Sequence, residues 1–235
     1  MKKNVMMRLA AVMLMCVLLS TSVIGGTFAK YTTQGTSTDT ARVAKWGVVI
    51  TPKSDSLFET FYDDASNPTV KLIDSYGVKD LVAPGTTGTL TPVDITGKPE
   101  VAVNVKYEAT VTLTGWEYVA DPVNNPGVTT EYCPIIFTVE GVTYGMQGTG
   151  ATNSTYASVS ALATAVENAI NDCTADYDVN TDMSTVEVPN VIWNWPFENS
   201  ATNTYSDDAK DTALGNLDTL PTIILEIITT VTQID

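Results

Sequence analysis

Three groups of side chains in this sequence have the types to do chemistry. The first is acidic: the pairs Asp63-Asp64 and Asp207-Asp208, with Asp211 a helical turn beyond the second. Neighbouring carboxylates can hold a shared proton for acid–base work, or offer hard oxygen ligands to calcium. The second is a pair of thiols, Cys133 and Cys173. The third is the alternating run Trp193, Trp195 and Phe197, whose rings would stack on sugars if they share one exposed strand face. Each group also has a plainer use. Acids in turns and at helix starts are usually solvated, and the spacing of Asp207, Asp208 and Asp211 matches no calcium-loop pattern. Tryptophans bury large areas, so the same aromatic row fits a core patch.

What is missing narrows the chemistry further. The chain has no histidine. That removes zinc proteases built on paired imidazoles and every Ser-His-Asp or Cys-His arrangement. Gly145, Gly148 and Gly150 lead into no Lys-Ser/Thr pair, so no phosphate cradle is written there. A carboxylate hydrolase remains conceivable in composition alone, without support from spacing. The expectation is a protein without catalysis or cofactor, with no metal set assigned.

The elements that must position these groups are mostly strands. In EVAVNVKYEATVTLT, residues 100 to 114, Val101, Val103, Val105, Tyr107, Ala109, Val111 and Leu113 share one face and polar residues the other. That alternation predicts a long strand with a dry and a wet side. TIILEIITTVTQI, residues 222 to 234, repeats it, with Ile223, Leu225, Ile227 and Val231 on one face. Ile224 and Ile228 make the opposite face apolar too, which points to a central strand covered on both sides. Shorter strands are expected at 43–51, 57–62, 70–74, 89–95, 132–139, 142–146 and 186–195, with a hairpin turn at Glu140-Gly141 and breaks at Pro92 and Pro189. From Ser158, a good N-cap, Val159, Leu162, Ala163, Val166, Ile170 and Cys173 recur at helical spacing. A second, shorter helix is expected from Ser206 to Gly215. The pattern fits one antiparallel β-sandwich carrying an inserted amphipathic helix and a second short helix.

The start of the chain places that sandwich. Lys2, Lys3 and Arg8 precede sixteen uncharged residues, Leu9 to Ile24, and Gly25-Gly26-Thr27-Phe28-Ala29 follows. This is the order of a secretory signal cut between Ala29 and Lys30. Sixteen residues also fall short of the roughly 20 a spanning helix needs; an uncleaved anchor is the other reading. The division expected is 1–29 signal, 30–40 mature N-terminal segment and 41–235 one β-sandwich domain. The signal holds three of the 12 basic residues and none of the 27 acidic ones, so the mature charge is −18. Such a surface repels phosphate backbones and anionic lipid, which disfavours nucleic acid and leaves the signal as the only membrane contact. In an exported chain Cys133 and Cys173 can form a disulfide, closing a loop worth about 4 kcal/mol at most. Two buried thiols that never meet fit the spacing equally.

Gly25-Gly26-Thr27-Phe28-Ala29 followed by Lys30-Tyr31-Thr32 resembles the export signal of the TasA/camelysin family of bacterial matrix-fibre proteins. Gly47 with Val48 and Ile50, and the turn Ala83-Pro84-Gly85 with Gly88, are similar to later family features, while Ile95-Thr96-Gly97 lacks the family's asparagine. The resemblance covers residues 23 to 50 well and extends to about residue 115. It implies processing by a SipW-type signal peptidase, a jelly-roll-like sandwich, and secretion to the matrix or surface of a Gram-positive bacterium. It also implies a fibre subunit whose partners are copies of itself or a related subunit. In such fibres the mature N-terminus adds as a strand to the next subunit, which here would be the segment beginning Tyr31, Thr32 and Thr33. Composition alone also fits a disordered leader. Some relatives are labelled metalloproteases; a chain without histidine does not inherit that label. The alternative function is a cell-surface adhesin or glycan-binding module using Trp193 and Trp195. Intact-mass measurement of the exported product should find Lys30 as its first residue; a product retaining residues 1 to 29 would identify an anchor instead.

Overall fold

The computed structural model describes Met13 and residues 42–53, 57–64, 67–77, 80–196 and 203–234. The cleavage junction at Ala29 and Lys30, the segment with Tyr31, Thr32 and Thr33, and Phe197 lie outside the described residues. The chain divides into Met1–Val43 and Ala44–Asp235, and the second unit carries the sheets. Its strands are β1 (Val49–Pro52), β2 (Phe61–Asp64), β3 (Asn67–Asp74), β4 (Thr87–Leu90), β5 (Val93–Thr96), β6 (Val103–Thr114), β7 (Glu117–Val119), β8 (Thr129–Glu131), β9 (Ile136–Val139), β10 (Val142–Met146) and β11 (Asn153–Tyr156). Helix α1 (Val159–Asn171), β12 (Ala175–Tyr177), β13 (Val191–Asn194), helix α2 (Asp208–Gly215) and β14 (Thr222–Gln233) follow.

Two sheets carry the core. One has the order β11-β10-β9-β13-β4, the other β12-β6-β14, and three two-stranded pairs, β1-β5, β2-β3 and β7-β8, complete the described residues. Every pairing is antiparallel except β10 with β11. The fold is an all-β sandwich with two short helices. Val103, Val105, Tyr107 and Val111 from β6 join Phe137, Val139, Val191 and Trp193 from the larger sheet in one buried cluster. The alternation of β6 is thus realised as a dry face, with Lys106, Glu108, Thr110 and Thr112 on the wet one.

Local signals explain most element ends. The expected strand at 43–51 is shortened to β1, because Gly47 takes a left-handed φ of 64°. Thr91-Pro92 splits the expected 89–95 strand into β4 and β5, as a residue without an N–H must. Glu140 and Gly141 both have positive φ, 47° and 78°, the backbone of a two-residue hairpin turn between β9 and β10. Ser158 caps α1 by accepting the Ala161 N–H at 3.2 Å, and the Glu131 carboxylate accepts the Val159 N–H at 2.9 Å. Leu162, Val166 and Ile170 form its buried stripe.

Side chains of α1 and the turn after it close one edge of β6. β12 pairs with Val103 to Val105; beyond it, Thr174 Oγ1 accepts the Tyr107 N–H at 3.1 Å. Asn171 Oδ1 takes the Ala109 N–H and Glu167 Oε1 the Val111 N–H, each at 2.8 Å. Residues one helical turn apart on α1 therefore stand in for a neighbouring strand.

The other edge of β6 holds β14 in an unbroken register from Thr222–Thr114 to Gln233–Val103. This corrects the expectation of a central, doubly covered strand. β14 is an edge strand, with Ile224 58% and Ile228 53% exposed. The apolar second face that suggested burial is open, because no strand pairs beyond it and no layer covers it among the described residues. Replacing Glu167 by Ala should lower stability by about 1–3 kcal/mol in urea titration, since the Val111 N–H loses its acceptor. Glu167→Gln, which keeps an acceptor oxygen, should lose clearly less.

Candidate functional site

The alternating aromatic row is where carbohydrate chemistry would have to reside, and both described members are core. Trp193, on β13, has no exposed surface and Trp195 is 6% exposed. Trp193 donates its indole N–H to Leu57 O at 2.7 Å, packs on Phe58 at 5.6 Å between centroids, and meets Tyr62 edge-on. Gly88 on the neighbouring β4 must be glycine, because a Cβ there would collide with Leu57 O and Trp193 Nε1. Trp195 packs against Trp116 at 5.5 Å, and Trp116 donates to Thr222 O at the start of β14. Trp193 presents no surface to a sugar, and Trp195 only the small part that borders a cleft.

The acids are drawn apart by different duties. Asp207 caps α2, its Oδ1 accepting from the Ala209 and Lys210 N–H groups. Asp211, one turn along, is buried and accepts from the Tyr132 hydroxyl at 2.7 Å; that hydroxyl in turn accepts the Asp207 N–H at 3.0 Å. Tyr205 stacks on Tyr132 at 5.1 Å, and the Lys210 ammonium lies over the Tyr132 ring. The Trp195 indole N–H faces the second carboxylate oxygen and favours its ionised form, yet the two do not close to a hydrogen bond. Trp195 Nε1 and Asp211 Oδ2 are both buried without a partner. Burial dominates, and raises the Asp211 carboxyl above its ordinary value of 3.8. No group of three or more His, Cys, Asp or Glu side chains converges to hold a metal among the described residues.

The thiols are free and are not joined. Cys133 follows Glu131, whose carboxylate meets the start of α1, whereas Cys173 lies just past its end and bonds back to Ala169 O. A thirteen-residue helix about 20 Å long separates those ends, far beyond the roughly 7 Å limit between bridged Cα atoms. That geometry corrects the candidate disulfide. Burial pushes Cys133 up to about 12 and Cys173 up to about 11, so neither supplies thiolate at neutral pH.

A cleft of about 670 Å³ lies next to the buried carboxylate, walled by Trp116, Trp195, Leu214, Pro221 and Ile223 with Asp80 and Asp218. Its mostly apolar walls suit an apolar group and contain no nucleophile paired with a base. No family model matches this chain, and no curated protein or solved structure shows significant similarity to it.

The Tyr132–Asp211 pair was not foreseen. The sequence held one hint: Asp211 lies three residues before Leu214, on the face of α2 that turns inward. Because its folded pKa is raised, Asp211 favours the fold most when protonated. Its contribution falls as pH rises from the ordinary carboxylate value through the raised one. The unfolding free energy of the wild type minus that of Asp211→Asn should therefore drop across that window and level off above it. A difference independent of pH would remove the buried ionisable role.

Proposed function

We propose that this protein is a secreted structural subunit of extracellular fibres or matrix, assembled through main-chain pairing to which the mature N-terminal segment contributes a strand. The observation that carries the reading is a sandwich whose two core sheets end in strands without outer partners among the described residues: β4, β11, β12 and β14. Main-chain groups on such edges bind an added strand, and alternate side chains set its register. The leader pattern at residues 1 to 29 and the likeness of residues 23 to 50 to the TasA/camelysin export signal supply the route out of the cell.

Charge supports the same segment as donor. The domain from residue 41 onward carries 26 of the 27 acids, while residues 30 to 40 contain Lys30, Asp39 and, after cleavage, a new α-amino group. The segment is therefore not repelled by the acidic sandwich, and it contains no proline to interrupt a ladder. Trp193 and Trp195, the two indoles the adhesin alternative calls on, are both buried.

Deleting residues 30 to 40 should abolish filaments in negative-stain microscopy while leaving the far-UV circular dichroism of the domain unchanged. Filaments of normal appearance from that deletion would overturn the donor-strand reading.

A further inference from the structure

The edge of β14 is unlike the others. It runs for 12 residues without a bulge, whereas β4 and β11 have four residues each and β12 has three. Natural edges are blunted by shortness, lysine, proline or bulges. β14 has none of these: between Thr222 and Gln233 there is no proline and no base, and Glu226 is the one charge. Its outward face carries Ile224 and Ile228, both more than half exposed.

The ladder tells which backbone groups are open. The N–H groups of Tyr107, Ala109 and Val111 point toward α1. The even-numbered residues of β6 therefore bond β14, and through the register so do the even-numbered residues of β14. Ile223, Leu225, Ile227, Thr229, Val231 and Gln233 are left with N–H and C=O groups aimed away from the sheet.

We propose that this edge pairs with the β14 edge of a second copy, antiparallel about a two-fold axis through Ile228. A two-fold perpendicular to the sheet keeps each copy's core on the same side, so residues whose numbers sum to 456 stand opposite. Ile228 then meets Ile228, Glu226 meets Thr230, and Ile224 meets Thr232. The overlap is nearly complete, about twelve main-chain hydrogen bonds form, and the two carboxylates do not face each other. The exposed isoleucines single out this occupant. A second β14 brings matching apolar side chains, while residues 30 to 40 bring one tyrosine among polar residues. An isologous contact closes on itself and cannot build a fibre alone. It adds to the fibre reading a pairing of subunits that does not depend on the N-terminal segment, and leaves that segment β4, β11 or β12 as its edge.

Cysteine crosslinking of the full chain, with Cys16 and Cys173 changed to serine and Cys133 left in the core, tests this contact. Ile228→Cys should form a disulfide-linked dimer, since directly opposed side chains in a non-hydrogen-bonded pair lie about 4.5–5.5 Å apart. Ile224→Cys should not crosslink to itself, because the mates lie eight residues apart, about 27 Å, but should crosslink when mixed with Thr232→Cys. Ile228→Lys, at an exposed position, should keep the fold and raise the dimer dissociation constant at least about tenfold by sedimentation, as like charges meet at the axis. Higher salt should strengthen the wild-type dimer by screening the acidic domains. The Ile228→Cys crosslink should persist without residues 30 to 40 even where fibres vanish. Three results would each overturn the proposal: a folded Ile228→Cys protein that stays monomeric, an Ile224→Cys chain that links to itself, or a crosslink lost on deleting residues 30 to 40.

Discussion

A strand carries two rows of main-chain donors and acceptors, and a buried strand must satisfy both. β6 is where that constraint organises this protein. One row is spent on β14 over the strand's whole length, and the other on β12 and then on Thr174, Asn171 and Glu167. The second arrangement fixes the position of α1, whose apolar stripe must fill the core while its polar neighbours reach three alternate N–H groups. The same placement leaves Cys173 just past the end of α1, while Cys133 is buried elsewhere in the core and both thiols stay free. With β12 and α1 on one side, the long open edge of this sheet among the described residues is that of β14.

The core is braced by aromatic rings whose polar atoms are nearly all accounted for. Trp193 reaches Leu57 O, Trp116 reaches Thr222 O, and Tyr132 links Asp207 to Asp211. These bonds tie segments far apart in sequence, so the rings act as cross-braces between the strand layers and α2. The exception is the Trp195 indole facing Asp211, where a buried donor and a buried acceptor lie without closing.

Much of this was legible in the sequence, for a physical reason. Alternation over residues 103 to 114 and 222 to 233 reports which side of each strand is dry, and the 3.6-residue recurrence from Val159 to Ile170 reports the buried stripe of α1. Proline, glycine and caps act locally, so Pro92, Gly47, Glu140-Gly141 and Ser158 mark ends close to where the chain makes them. The short strands β7, β8, β11 and β12 were not legible. Three- and four-residue strands, mostly exposed or half-buried, carry no period to read, and long-range pairing alone creates them.

The sequence by itself determined the class, an all-β sandwich with two helices, because periodicity and local backbone chemistry act over a few neighbouring residues. It also showed that this chain supplies no imidazole. Only the tertiary structure decided that Ile224 and Ile228 lie on an open edge, that Trp193 and Trp195 are core, that Asp211 is buried against Tyr132, and that the two thiols stand apart. Each of those depends on which distant segment arrives next to a residue. A side chain's type states what it can bury or bond; the neighbour supplied by the fold decides whether it does.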